Sequence, residues 1–105
     1  MVEELPEIMT YYPMNTYEYI GNEVSHLPYK KYNMLLRKKG TKLIVRIPYG
    51  DSSQAQYRDT SGIGKYSHLN HLDKDRQLRY WKRHRKFIKR GYYSPGWGSL
   101  TFLWS

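Results

Sequence analysis

The sequence predicts a small α+β fold, with a short β-hairpin, one amphipathic basic helix over about residues 71–90, and extended arms at both ends. Three observations carry this reading. Between Asp73 and Arg90, nine Lys and Arg stand against two Asp, and they are sorted around a helix rather than scattered. In Lys42–Pro48, Leu43, Val45 and Ile47 alternate with Lys42, Ile44 and Arg46, the period of a strand. Finally, 105 residues at 39% hydrophobic content leave room for one modest core, which twelve Tyr and three Trp must help to fill.

Residues 1–29 hold Glu3, Glu4, Glu7, Glu18 and Glu23 and no Lys or Arg. Pro6, Pro13, Gly21 and Pro28 punctuate this stretch, so it reads as an acidic, extended arm. Tyr11, Tyr12, Tyr17 and Tyr19 have few aliphatic neighbours there and read as anchors for a protein–protein interface. Residues 30–105 form the basic module: eighteen cations against four acids give it +14 in a chain of net charge +9. An acidic head on a basic body marks proteins of nucleic-acid or assembly function.

Within the module, Tyr32–Arg37 pairs with the Lys42–Pro48 strand through a turn at Lys38-Lys39-Gly40-Thr41, and Pro48 ends the ladder. Gly50–Lys65, rich in Gly, Ser, Asp and Gln, reads as a surface loop. Asn70 is the expected N-cap of the helix, with Asp73 in its first turn, an Asp75–Arg79 pair, and Gly91 as the residue past its end. The tail from Tyr92 to Ser105 carries Trp97, Leu100, Phe102, Leu103 and Trp104 and is expected to return onto the helix.

At 100° per residue, Lys74, Arg79, Lys82, Arg85, Lys86, Lys89 and Arg90 share one arc, and Tyr80, Trp81, His84, Phe87 and Ile88 share the opposite one. A helix with one basic side and one aromatic side suits contact with a polyanion or an acidic protein surface. Seven cations on one arc repel each other until counter-charge arrives.

Other chemistries find little support. The absence of cysteine removes disulfides and thiolate zinc sites. No apolar run approaches a membrane span, and the acidic N-terminus differs from a signal peptide, so a soluble intracellular protein is expected. His68, His71 and Asp75 have the residue types of a metal site, but their spacing crosses the helix start and no metal is expected. Asp59–Tyr66 lacks the first Gly of a phosphate loop and puts Tyr66 where a magnesium-binding hydroxyl belongs. Tyr11-Tyr12 and Tyr19-Ile20-Gly21 echo a GIY-YIG nuclease without its Arg and Glu contexts. No nucleophile–base pair stands out, so neither an enzyme, a cofactor nor a small-molecule substrate is expected.

With Asp73, Arg76, Tyr80, Arg83 and His84 on the helix and Leu103-Trp104 closing the tail, the last third resembles a group of short basic proteins of unknown function from large DNA viruses of algae and amoebae. The shared pattern is Asp-x-x-Arg-x-x-x-Tyr-x-x-Arg-His, here Asp73, Arg76, Tyr80, Arg83 and His84, followed by Ser94-Pro95-Gly96-Trp97, Ser99 and Leu103-Trp104. Gly64-Lys65-Tyr66-Ser67 extends the likeness over roughly residues 60–105, with Gln77 and Gly98 as departures. The resemblance implies a viral origin and a virion component. With the +14 module and the acidic Tyr-rich arm, it leads to the expectation of a non-enzymatic minor capsid or internal virion protein that docks on neighbouring subunits through its arms, the alternative being a sequence-independent nucleic-acid-binding protein that uses the basic helix. Its location would be the virion and the cytoplasm or nucleus of infected cells. Its partners would be other virion or capsid proteins, or DNA. Asp73, Arg76, Tyr80, Arg83 and His84 span about 100° on the flank of the aromatic arc. These residues, with Trp97 and Trp104, are therefore expected to fix the helix–tail fold while the arc opposite binds.

Overall fold

The computed structural model describes residues 12–105 and shows a small α+β fold. Its centre is an antiparallel sheet of β2 (Tyr17–Val24), β3 (Lys30–Lys38) and β4 (Ile44–Asp51), with β3 in the middle. A two-stranded pair, β1 (Tyr12–Pro13) with β5 (Tyr92–Tyr93), ties the start of the described chain to its last third. The helices are α1 (Lys74–His84), α2 (Lys86–Lys89) and α3 (Pro95–Phe102).

β3 and β4 form the expected hairpin, with Met34 opposite Ile47 and Leu36 opposite Val45, although β4 begins at Ile44 rather than Lys42. Alternation sends Tyr32, Met34 and Leu36 inward with Ile47 and Tyr49, and these residues join Tyr93 and Leu103 in the core. Pro48 does not end the ladder, because β4 runs on to Asp51. As the edge strand, β4 can accommodate a residue that lacks an N–H when that nitrogen faces away from its only neighbour.

Residues 17–24 are extended, but as the third strand of the sheet rather than a separate arm. Tyr17 pairs with Lys38 and Val24 with Tyr32, with a bulge between Tyr19 and Gly21. The boundary read at residue 29 thus falls at the turn between two paired strands. The C-terminal segment is helical instead of extended. The Ser94 hydroxyl accepts a hydrogen bond from the Trp97 N–H at 3.1 Å, and Pro95 occupies the first turn, a strong helix start.

The basic helix begins later than expected and is broken once. Asp73 is its N-cap, accepting from the Asp75 and Arg76 N–H groups at 3.0 and 3.2 Å. Asn70 serves elsewhere: its side-chain oxygen accepts from Gln56 Nε2 and from the Asp59 N–H. Arg85 separates α1 from α2, and Gly91, with φ of 76°, turns the chain after Arg90.

The stretch from residue 50 to 65 lies largely at the surface, as expected, and is pinned at buried Gln56, Tyr57 and Ser61. Gln56 is fully buried, with Nε2 donating to the Tyr66 carbonyl and Oε1 accepting from Lys31. The Arg58 and Thr60 N–H groups donate to the Leu103 and Phe102 carbonyls, fastening this segment to the end of α3. Tyr32 donates to Asp59. Burial raises the Asp59 pKa, but the bonds from Tyr32, Ser61 and the Tyr66 N–H outweigh it and hold the carboxyl below its ordinary range.

Candidate polyanion-binding surface

The α1–α2 segment presents its basic arc to water. Lys74, Arg79, Lys82, Arg85, Lys86, Lys89 and Arg90 are all exposed. Among the described residues the ion pairs are Arg37–Glu18 at 2.9 Å and Arg46–Glu23 at 2.7 Å, so none of the seven has a carboxylate partner there. The expected Asp75–Arg79 pair does not close to ion-pair distance. Three of the seven lie over rings. Lys74 Nζ sits 5.1 Å from the centre of Tyr57, while Lys86 and Arg90 approach Phe87 at 5.6 and 4.7 Å. Such contacts orient the stems and leave the charges available.

The aromatic side of the segment meets the tail. Tyr80 and Trp104 stack with centroids 4.2 Å apart and planes at 2°. Trp81 Nε1 and Gln77 Nε2 both donate to the Trp104 carbonyl, at 2.7 and 3.0 Å. His84 lies 4.3 Å from Tyr80 and stacks on Phe87 at 5.9 Å. Burial lowers the His84 pKa, and Arg83 and Lys86 lower it further, favouring the neutral ring. Trp97 meets Tyr93 edge-on at 5.0 Å. Ile88, placed on this side by its angle, is 36% exposed.

Gln77 and Gly98, the two departures from the shared pattern, both sit at contacts. Gln77 anchors the Trp104 carbonyl, and a Cβ on Gly98 would come within 3.0 Å of the Tyr49 ring. Gly96 is tighter still, because an added Cβ would meet Phe87 at 2.5 Å. This glycine is what lets α3 approach α2 so closely.

The motif divides into two groups. Asp73, Tyr80, His84, Trp97 and Trp104 take part in capping and stacking. Arg76 and Arg83 are exposed and instead line, with Arg79, an open cleft of about 350 Å³ between α1, α3 and the end of β4. Lys31, only 1% exposed, lines the same cleft. It donates to the Gln54 carbonyl at 2.7 Å and to Gln56 Oε1. Burial pulls its pKa down to about 8, although Asp51 and Asp59 act to raise it. The i, i+3, i+7 spacing of the three arginines was visible in the sequence. Lys31 carried no such signal, since its partners lie more than twenty residues away.

Of the four arm tyrosines, Tyr12, Tyr17 and Tyr19 make ring contacts within the fold. Tyr12 and Tyr17 meet edge-on at 5.0 Å and pack against the core, and Tyr19 lies 5.3 Å from Phe102. Tyr11 lies outside the described residues. As for the metal reading, His71 Nδ1 accepts from the Asp73 N–H at 2.9 Å and its ring lies 5.2 Å from Trp104, while His68 packs near Tyr66. No helix among the described residues is long and apolar enough to cross a membrane. No protein family, curated protein or solved structure matches this chain.

Proposed function

We propose that this chain is a non-enzymatic, sequence-independent nucleic-acid-binding protein that grips phosphates with the basic arc of α1–α2. The observation that carries the reading is the row of seven exposed cations with no carboxylate partner among the described residues. The residue types suit backbone contact, because Lys and Arg neutralise phosphates without reading bases. The aromatic side is occupied by the tail, so the helix is held with its basic arc outward.

The test is binding to random-sequence duplex DNA across a salt series. With four to six phosphate contacts, log affinity falls with log salt at a slope of about −4 to −5. Arg79→Glu combined with Lys86→Glu abolishes binding while leaving the circular dichroism spectrum intact. A flat salt dependence, or full binding by the double variant, refutes the reading.

A second reading is favoured by the resemblance to the viral proteins, since Asp73, Tyr80, His84 and Trp104 of the shared pattern take part in capping and stacking at the helix–tail joint. In it the chain is a minor capsid or internal virion protein, and the same arc faces an acidic subunit or the packaged genome. That reading requires fixed stoichiometry in purified particles. The half-buried Tyr12 and Tyr17 weaken its arm-docking element.

A further inference from the structure

Apart from the basic arc, the molecule concentrates positive charge in one concave place. Arg76, Arg79 and Arg83 sit on one stripe of α1 and line the cleft whose other walls include Lys31, Gly50, Tyr80, Ser99 and Trp104. None of the three guanidinium groups has an ion-pair partner among the described residues. Three planar forks facing one space match a compact oxyanion with several terminal oxygens, since each fork can bond two oxygens at once. The cleft volume of about 350 Å³ is at the small end for ligand pockets, enough for a phosphate and part of what carries it. It is too small to seat a duplex.

We infer that this cleft binds a phosphomonoester, with Arg76, Arg79 and Arg83 as its donors, and that it takes the terminal phosphate of a strand lying along the basic arc. The strand part of the inference rests on the nucleic-acid reading, and the cleft itself does not. Arg79 belongs to both the arc and the cleft, which makes the two surfaces continuous. A terminal phosphate carries about −2 charge at neutral pH, whereas each internal diester carries −1. An arginine triad therefore prefers the end.

The Tyr80–Trp104 stack gives the cleft a rigid aromatic wall. Lys31 is held by Gln54 and Gln56, which leaves one of its three donors without a bond. Gly50, with φ of 78°, lets the end of β4 pack closely against two other lining residues, because a Cβ there would meet Leu103 at 2.9 Å and Lys31 at 3.2 Å. Asp51 is the one carboxylate lining the cleft, and its Oδ1 accepts from the Ser53 N–H and hydroxyl. It opposes an anion, which gives the proposal a test of sign.

The experiment is a titration of the full chain with inorganic phosphate, followed by nitrogen-resolved NMR, and then with matched oligonucleotides bearing a 5′-phosphate, a 3′-phosphate or hydroxyl ends. Phosphate is expected to shift the Arg76, Arg79, Arg83 and Ser99 signals ahead of those of Lys82 and Lys89. Arg83→Gln lowers phosphate affinity about tenfold or more, and Asp51→Asn raises it. Lys42→Gln, exposed and outside both the cleft and the basic arc, leaves it unchanged within about twofold. Tighter binding of a phosphorylated end than of hydroxyl ends supports the strand terminus. Cleft shifts with no such difference support a free phosphomonoester such as a nucleotide and overturn the strand part. Phosphate bound in the cleft by a chain that ignores hydroxyl-ended DNA supports the cleft and refutes the arc reading. Uniform shifts over all cations, or equal affinity in Arg83→Gln and the parent, overturn the cleft.

Discussion

The sheet and the basic helix treat their charges in opposite ways. In the sheet, cations and acids are paired across strands: Arg37 with Glu18 and Arg46 with Glu23. Glu23 also accepts from Asn33 at 2.8 Å, and fully buried Asn33 accepts in turn from Ser25. From Asp73 to Arg90, nine cations stand with two acids and no ion pair forms among the described residues. The difference teaches where each region's charge is directed. Charge in the sheet is partly answered within the fold, whereas charge on the helix meets no carboxylate among the described residues.

The largest expected effect lies where the two regions share a core. Leu103 is 1% exposed, packs with the sheet residues Tyr49 and Leu36, and adjoins Trp104 on the helix. Leu103→Ala should cost about 2–5 kcal/mol, the range for a buried leucine whose site cannot collapse. Urea unfolding followed by tryptophan fluorescence measures it. A cost below about 1 kcal/mol would mean that the tail does not join helix to sheet, and the contrast between the regions would become one between separate units.

The division is only partly written in the sequence. The β3–β4 hairpin was legible, because its apolar alternation is local and its turn residues are plain. So was the meeting of helix and tail, through the aromatic arc and the apolar ending. Strand β2 was obscured by Gly21 and a bulge, which break the alternation of Tyr17-Glu18-Tyr19. Helix α3 had a usable signal in Ser94-Pro95, a cap followed by proline in the first turn, but two glycines and a short length masked it. The cleft was half legible. The arginine stripe is a pattern within one helix, whereas Lys31 and Asp51 reach it through pairing of distant strands.

A middle-sized effect should come from the sheet's own charge network. Glu23→Gln removes the ion pair with Arg46 and weakens the bond to Asn33, at a cost of about 1–2 kcal/mol. The pH dependence has a defined sign. The Asn33 bond, with help from Arg46, holds the Glu23 carboxyl below its ordinary range against the opposing effect of burial. A carboxyl whose folded pKa is depressed contributes stability above its unfolded value of about 4.3 and loses it as pH falls through the folded value. The parent should therefore lose stability on acidification below about pH 4.3 more steeply than Glu23→Gln. Identical acid profiles would show that this carboxylate is not part of the fold's charge pairing.

The smallest effect is the sharpest test of the helix side. Lys82 is exposed, and its neighbours one turn away, Arg79, Arg85 and Lys86, are all cations. Removing it relieves like-charge repulsion and breaks no ion pair, so Lys82→Ala should stabilise the fold by about 0.2–0.5 kcal/mol at low salt. Added salt screens the same repulsion, so the gain should fade as ionic strength approaches 1 M. Thermal melts of parent and variant at low and high salt read both quantities. On the proposed nucleic-acid reading, DNA affinity should fall in the same variant, because one proposed phosphate contact is removed while the fold is retained. A loss of more than about 1 kcal/mol on removing Lys82 would show that the helix cations are already answered within the molecule. The two regions would then be alike, and the reason for reading the helix as a surface awaiting a polyanion would be gone.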